Sequence, residues 1–356
     1  MRGRAHVAAL GLLLAASPAA AAGFVDPLDQ PAGPSALAAR RPLLSVARAG
    51  ERLVAVGERG LAVFSDDGGA RWTQAAVPVS EDLTAVRFAS PRLGWAVGHG
   101  GVVLATEDGG ARWERRLDGR GLARLLDAWA RDGAGRIAPA ALAQARDLAA
   151  RGPDQPLLDV WMDQAGREGF AVGAFGLALA TGDGGRSWTP CLDRIENPRA
   201  LHLHALLEAR GTLYLAGEQG LLLRLDRAAG RFRAVAIPYG GSLFGLASVG
   251  RALLAFGLRG TVLRSVDGGP WQAVEAGVEA TLAGGTALPD GRLALAAVSG
   301  ELLVSADGGA TFERVSARGA VLAPAFAVAP AGDGALAVAG AEGVRVVALP
   351  RPREAP

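Results

Sequence analysis

The sequence predicts an all-β chain closed into a seven-bladed β-propeller of four-stranded blades, with Asp-box turns and a small α-helical hairpin insert. Three observations predict it. A glycine-marked hairpin recurs seven times, and an Asp-Gly-Gly turn returns five times downstream of it. Most copies lie about 40 to 44 residues apart, the length of one four-stranded blade.

The hairpins read "LVAVGERGLAVFS" from Leu53, "GWAVGHGGVVLAT" from Gly94, "GFAVGAFGLALAT" from Gly169 and "LYLAGEQGLLLRL" from Leu213. They continue as "LLAFGLRGTVLRS" from Leu253, "LALAAVSGELLVS" from Leu293 and "LAVAGAEGVRVVA" from Leu336. In each, an apolar run ends at the turn, and a second apolar run begins at a glycine or just after it. Glycine supplies the positive φ of tight hairpin turns. The runs are apolar throughout, which suits strands covered on both faces by neighbouring sheets. A strand such as "LTAVRFAS" precedes each hairpin, and one such as "RWTQAAV" follows the box, which makes four per blade. The seventh hairpin ends at "VRVVALPRPREAP", too short for a full fourth strand. The expectation is that Phe24 to Leu28 pair with this last blade and close the ring.

The boxes share the frame Ser/Thr-x-Asp-x-Gly with an aromatic residue two or three places on. Their members are Asp67, Gly69 and Trp72; Asp108, Gly110 and Trp113; Asp183, Gly185 and Trp188; Asp267, Gly269 and Trp271; and Asp307, Gly309 and Phe312. The copy "LDRAAGRF" has lost most of the frame but keeps Gly230 and Phe232. A carboxylate in this setting accepts backbone N–H groups of its own turn. The ring then folds back over the blade. The boxes read as fasteners; a weak cation site or a ligand contact is the alternative.

The gap between the second and third copies is longer, about 75 residues. Residues 117–160 are expected to hold a helical hairpin. Leu122, Leu125, Leu126 and Trp129 share one stripe, and Leu142, Ala145, Leu148 and Ala149 another, with Pro139 suited to a helix start. The insert is read either as packed on its own propeller or as a docking element.

The N-terminus, "MRGRAHVAALGLLLAASPAAAAGF", pairs Arg2 and Arg4 with a short apolar run and a small-residue cleavage site. It reads as a signal peptide over residues 1–22, ahead of a propeller over 23–350 and a disordered tail over 351–356. The expected location is the periplasm or the outside of the cell. All 37 basic residues are arginine; removing Arg2 and Arg4 leaves 35 against 35 acidic residues. Zero net charge gives no nucleic-acid footprint. Cys191 is the single cysteine, so no intrachain disulfide forms, and a disulfide-linked partner is not expected.

The segments "AVGERGLAVFSDDGGARW", "DLTAVRFASPRLGWAVGHGGVVLATEDGGARWE" and "PYGGSLFG" carry a resemblance. The boxes resemble the BNR repeats of sialidases and of many exported propellers. The mature chain resembles the photosystem II stability/assembly factor-like family of seven-bladed propellers, over roughly residues 40 to 345. The resemblance implies a non-catalytic scaffold or assembly factor, which in photosynthetic organisms serves photosystem II, and here a bacterial exported member. The expected partner is an envelope or membrane protein, the chain is expected to be a monomer, and no cofactor is expected.

Two chemistries compete with that reading. A sialidase-like glycoside hydrolase needs a tyrosine nucleophile, but Tyr214 lies within an apolar strand and Tyr239 between blades. A carbohydrate-binding propeller is the related alternative. His202 and His204 alternate on a strand, but no C-x-x-C or H-E-x-x-H accompanies them, so no metal site is assigned. No residue is assigned a catalytic role. The turns between second and third strands all fall on one face, which the inter-blade links share; the Asp-boxes lie on the other. The candidate partner face comprises Glu58, Arg59, His99, Phe175, Glu218, Gln219, Tyr239 and Arg259.

Overall fold

The computed structural model describes residues 24–315, 324–332 and 334–350. The expected signal peptide, the expected tail and the 316–323 link lie outside the described residues. Seven antiparallel sheets follow one another along the chain, six with four strands and the last with three. The first runs Leu43–Ala49, Arg52–Gly57, Ala62–Ser65 and Thr73–Gln74, in sequence order from the axis outward. The innermost strand of each blade packs beside that of the next, and Leu43–Ala49 packs beside Ala325–Pro330 to complete the ring.

The core is divided into layers. Each of the seven interfaces between successive blades holds its own apolar cluster, such as Val54, Val56, Leu83, Val86 and Trp113 between blades 1 and 2. This is why the hairpin strands carry apolar residues on both faces. The hairpin glycines have two separate causes. Gly57, Gly98, Gly173, Gly217, Gly257 and Gly340 have no positive φ; a Cβ there would collide with the carbonyl of the residue before the innermost strand. The second glycine, such as Gly60 or Gly260, has positive φ and its turn presses on the link to the next blade.

Four boxes share one geometry. Ser65, Thr106, Thr181 and Ser305 each accept the N–H of the glycine four residues on, at 2.7–3.0 Å. Each donates its hydroxyl to the Asp, and that carboxylate accepts the N–H four residues further on. Trp72 and Trp113 fold back and donate Nε1–H to the box glycine carbonyl at 3.1 Å.

The box at Asp267 departs from expectation. Its carboxylate accepts none of its own turn's N–H groups but binds Arg210 at 2.7 Å and also Arg251. "DGGPW" is one residue shorter than "DGGARW" between Asp and aromatic, so the turn tightens. Asp267 adopts φ 53°, and of the two glycines, both at positive φ in the other four boxes, only Gly268 keeps it. In the degenerate fourth copy Asp226 caps Ala229 N at 3.1 Å, and Phe232 is fully buried.

Ring closure also differs from the expectation. Phe24 to Leu28 do not pair with the last blade. Leu28 is buried between blades 1 and 2, and Phe24 is 90% exposed. Residues 24–41 form a strap: Pro27 O accepts Ser80 N, Ala32 N donates to Val77 O, and Gln74 clamps Gly33 and Ser35. The strap ends in the short helix Ala38–Arg40, which packs on Gly343–Ala348 of blade 7. Closure therefore comes from side chains: Leu43, Val46 and Leu53 of blade 1 meet Ala329, Ala337 and Val344 of blade 7, with Ala38 and Trp72.

Two helices, α1 (Gly119–Asp132) and α2 (Pro139–Ala150), join the last strand of blade 2, ending at Leu117, to the first of blade 3, starting at Leu157. Asp118 caps α1 through Gly121 N at 2.9 Å, and Pro139 opens α2. Leu122, Leu126, Ala130, Ala141, Ala145 and Leu148 are buried in the cluster between blades 2 and 3. The stripes are thus used against the propeller itself. No helix among the described residues is long and apolar enough to cross a membrane.

Candidate functional site

The insert fixes which face is distinctive. Gly119 N donates to Gly100 O at 2.6 Å and Gln144 Nε2 to Phe175 O at 2.9 Å, so both helices stand beside the second-to-third-strand turns. On these turns Arg59, Phe175, Gln219 and Arg259 share φ of 51–55°. This left-handed conformation is uncommon for side-chain-bearing residues and strained for a bulky one. All four side chains are exposed.

The candidate face residues have distinct surroundings. Glu58 is held by Arg41 at 2.7 Å. Arg59 donates its backbone N–H to Asp82 at 2.7 Å, while its guanidinium and that of Arg259 meet no carboxylate among the described residues. His99 is exposed, its N–H tied to Asp82 O. Glu218 lies 3.3 Å from His202 Nδ1, and Gln219 accepts from Arg199 at 2.6 Å. Tyr239 is half-buried, with its hydroxyl 3.4 Å from Leu258 O, and Tyr214 is half-buried against the blade 4–5 cluster. Neither tyrosine hydroxyl meets a carboxylate or a histidine among the described residues.

An aromatic path links this face to the axis. Arg151 at the end of α2 lies over Phe175 at 4.4 Å, Phe175 meets His202 edge-on at 4.8 Å, and His204 tilts against Phe244 at 4.9 Å. His202 and His204 are 6.4 Å apart, and no group of three or more metal-ligating side chains occurs among the described residues.

The path ends at a feature that sequence reading missed. Every innermost strand carries a register shift, and the residue skipped is Leu44, Thr84, Leu158, His204, Phe244, Ala283 or Phe326 in blades 1 to 7. Such bulges re-aim a side chain. All seven are half-buried and line the axial channel, of about 330 Å³. They form its mouth on the insert-bearing face, because the innermost strands start there. The signal was legible: "LLS", "LTA", "LLD", "LHA", "LFG", "LAG" and "AFA" place a variable residue between an apolar and, in most copies, a small one.

Within the channel, His204 Nδ1 lies 2.9 Å from Leu243 O. A carbonyl only accepts, so Nδ1 carries the proton and the neutral ring leaves Nε2 as acceptor. Burial holds the ring below the usual histidine range. Deeper in the wall, Asp159 is 2% exposed and accepts Leu206 N and Val160 N at 2.9 Å each and Arg87 at 3.0 Å. Burial pushes its carboxyl up against the pull of Arg87. It ties blades 2, 3 and 4 together.

Fold and site define a seven-bladed Asp-box β-propeller with one elaborated face. Residues 45–124 match the family described as photosynthesis system II assembly factor YCF48. A solved structure described as YCF48 bound to D1 peptide is 15% identical, with TM-score 0.62, covering 88% of this chain and 94% of that one. YCF48 from Cyanidioschyzon merolae is 16% identical, with TM-score 0.63, covering 90% and 98%. The WD40 β-propeller domain of Doa1 is 11% identical, with TM-score 0.62, covering 91% and 97%. No curated protein matches by sequence. The family model matches residues 45–124 alone, and the solved structures share the propeller fold with this chain over most of its length.

Proposed function

We propose that this chain is an exported, non-catalytic propeller that binds a polypeptide partner on its insert-bearing face and assists assembly of an envelope or membrane complex. The observation that carries the reading is the state of that face. Its exposed Arg59 and Arg259 have no carboxylate partner among the described residues, while Glu58, Asp82 and Glu218 are held within the chain. Arginine in this condition is suited to bidentate pairing with a partner. The structure of YCF48 with a D1 peptide lends support, since a protein of the same fold binds a peptide. Export rests on the charged and apolar N-terminal pattern.

The test is crosslinking and affinity capture from envelope extract, comparing the wild type with Arg59→Glu/Arg259→Glu. A control, Glu107→Arg, alters the Asp-box face. The expected result is a partner lost with the double variant and kept with the control. Equal capture by all three chains, or loss only with the control, refutes the assignment.

A further inference from the structure

The bulged mouth of the channel has a chemistry of its own. We propose that it is a socket for one aromatic side chain of the partner polypeptide, a tryptophan or tyrosine that presents an N–H or O–H donor to His204. The proposal rests on the protein-binding reading above and names its anchor.

Size sets the first limit. The whole channel, down to Arg48 and Pro330, holds only about 330 Å³, the lower end of small-molecule pockets, so its mouth admits no more than a single large side chain. The rim sets the second. Phe244, Phe326, Leu44 and Leu158 are half-buried and surround the opening with apolar surface, and His204 lies 31° from the plane of Phe244. Flat rings pack offset or edge-on against such a pair.

Polarity sets the third. Nδ1 of His204 is committed to Leu243 O and the Thr84 hydroxyl donates to Leu157 O at 2.6 Å, so Nε2 is an acceptor in a rim that is apolar at its other five positions. An occupant without a donor would strip water from Nε2 and return nothing. A cationic occupant finds no carboxylate, since Asp159 is buried and already paired with Arg87. An anion finds Arg48 and Arg87 engaged by Glu51 and Asp159, towards the opposite end of the channel. An indole or phenol meets each condition.

The surroundings favour a side chain over a free molecule. Beyond the mouth the same face continues through exposed Phe175 and Leu258 to Arg59 and Arg259. An aromatic anchor in a central pocket with a polar rim is the usual arrangement of energetically dominant contacts between proteins.

The chain has only four histidines, so long-range proton–nitrogen NMR of the histidine-labelled protein resolves each ring. N-acetyl-L-tryptophanamide is titrated in. The expected result is a saturable shift of the His204 Nε2 signal, with N-acetyl-L-phenylalaninamide binding roughly three- to tenfold more weakly for want of the donor. His204→Phe should erase that preference. Ala283→Trp and Leu44→Trp fill the mouth from two sides, and each folded variant should abolish the shift. A six-residue peptide with tryptophan between glutamates should bind at least as well as the amide. An unmoved His204 signal overturns the proposal, as does a shift that persists in the filled variants. Binding of the free amide but not of the peptide also overturns it, because the mouth would then serve a small molecule. Capture of the envelope partner that survives Ala283→Trp but not Arg59→Glu/Arg259→Glu sinks the socket and leaves the face reading intact.

Discussion

Replacing Trp113 by alanine tests whether the boxes are fasteners. The ring is 3% exposed, meets Phe88 edge-on with centroids 6.2 Å apart, and donates Nε1–H to Gly110 O at 3.1 Å. It belongs to the cluster between blades 1 and 2, alongside Val54 and Leu104. Truncating a fully buried tryptophan costs about 3–5 kcal/mol through lost transfer energy and the cavity left behind. Of this, the edge-on pair accounts for about 0.5–1.5 kcal/mol. Trp113→Phe separates the remaining parts, since it retains most of the volume but strands the Gly110 carbonyl, at about 1–2 kcal/mol. Trp72 makes the same hydrogen bond but is only half-buried, so Trp72→Ala should cost less than Trp113→Ala. Urea unfolding followed by far-ultraviolet circular dichroism measures all three. A Trp113→Ala chain within about 1 kcal/mol of wild type would refute the fastener reading. So would a fully stable variant that loses its partner.

The other predictions concern the remaining joints. Asp108 takes Thr106 Oγ1, Ala111 N and Arg112 N, so Asp108→Ala should cost about 1–3 kcal/mol in urea melts. Asp267→Ala breaks exposed arginine pairs and no hydrogen bond to its own turn, so it should destabilise less than Asp108→Ala, with an electrostatic part that fades in high salt. The Ser187 hydroxyl and N–H hold Asp183 down from 3.8 to about 2. A folded-state value below the unfolded one gives stability that is full above about pH 4 and lost as pH falls towards 2. Asp183→Asn should therefore flatten the acid limb of a Tm-against-pH curve; an unchanged limb would contradict this. Leu28 is 2% exposed, so Leu28→Ala should cost about 2–5 kcal/mol if the strap helps hold blades 1 and 2, and an unchanged melting temperature would show that it does not.

The fold was legible because its determinants are local and repeated. Each glycine, box aspartate and apolar run acts within about 40 residues, and seven copies in one chain serve as their own comparison. The closure was not legible, because it depends on contacts between the two ends. Nothing around Leu28 distinguishes pairing with blade 7 from burial beneath Arg120, which holds Asp26 and Asp29 at 2.6 and 2.8 Å. The Asp267 box failed for the opposite reason. Its motif letters matched, but the deletion of one residue before Trp271 changed which N–H groups the carboxylate could reach. At the candidate site, the turn residues were legible as positions, and their exposure and strain were not. The channel mouth was missed because a bulge shifts register by one residue and a single apolar strand shows no alternation against which to detect it; only the seven copies set side by side show the variable position.

The internal repeat separates scaffold from function within one molecule. Positions that must satisfy the backbone are nearly fixed from blade to blade. The first hairpin residue is glycine in six blades and alanine only at Ala297, and the Ser/Thr-x-Asp frame recurs where the turn is capped. Two sets of equivalent positions vary instead. The turn tips are Arg59, Gly100, Phe175, Gln219, Arg259, Ser299 and Glu342, and the bulges run from Leu44 to Phe326. Backbone geometry tolerates several residues at both, so what is found there is free to answer to something outside the chain. Both sets lie on the insert-bearing face, and the aromatic path from Phe175 through the two histidines to Phe244 joins them. A partner that grips the rim arginines is therefore also positioned over the mouth. Rim and socket should act as one site: the penalty of combining Arg259→Glu with Ala283→Trp should differ from the sum of the separate penalties, because the two positions share one ligand. Strict additivity in measured affinities would divide the face into two independent surfaces.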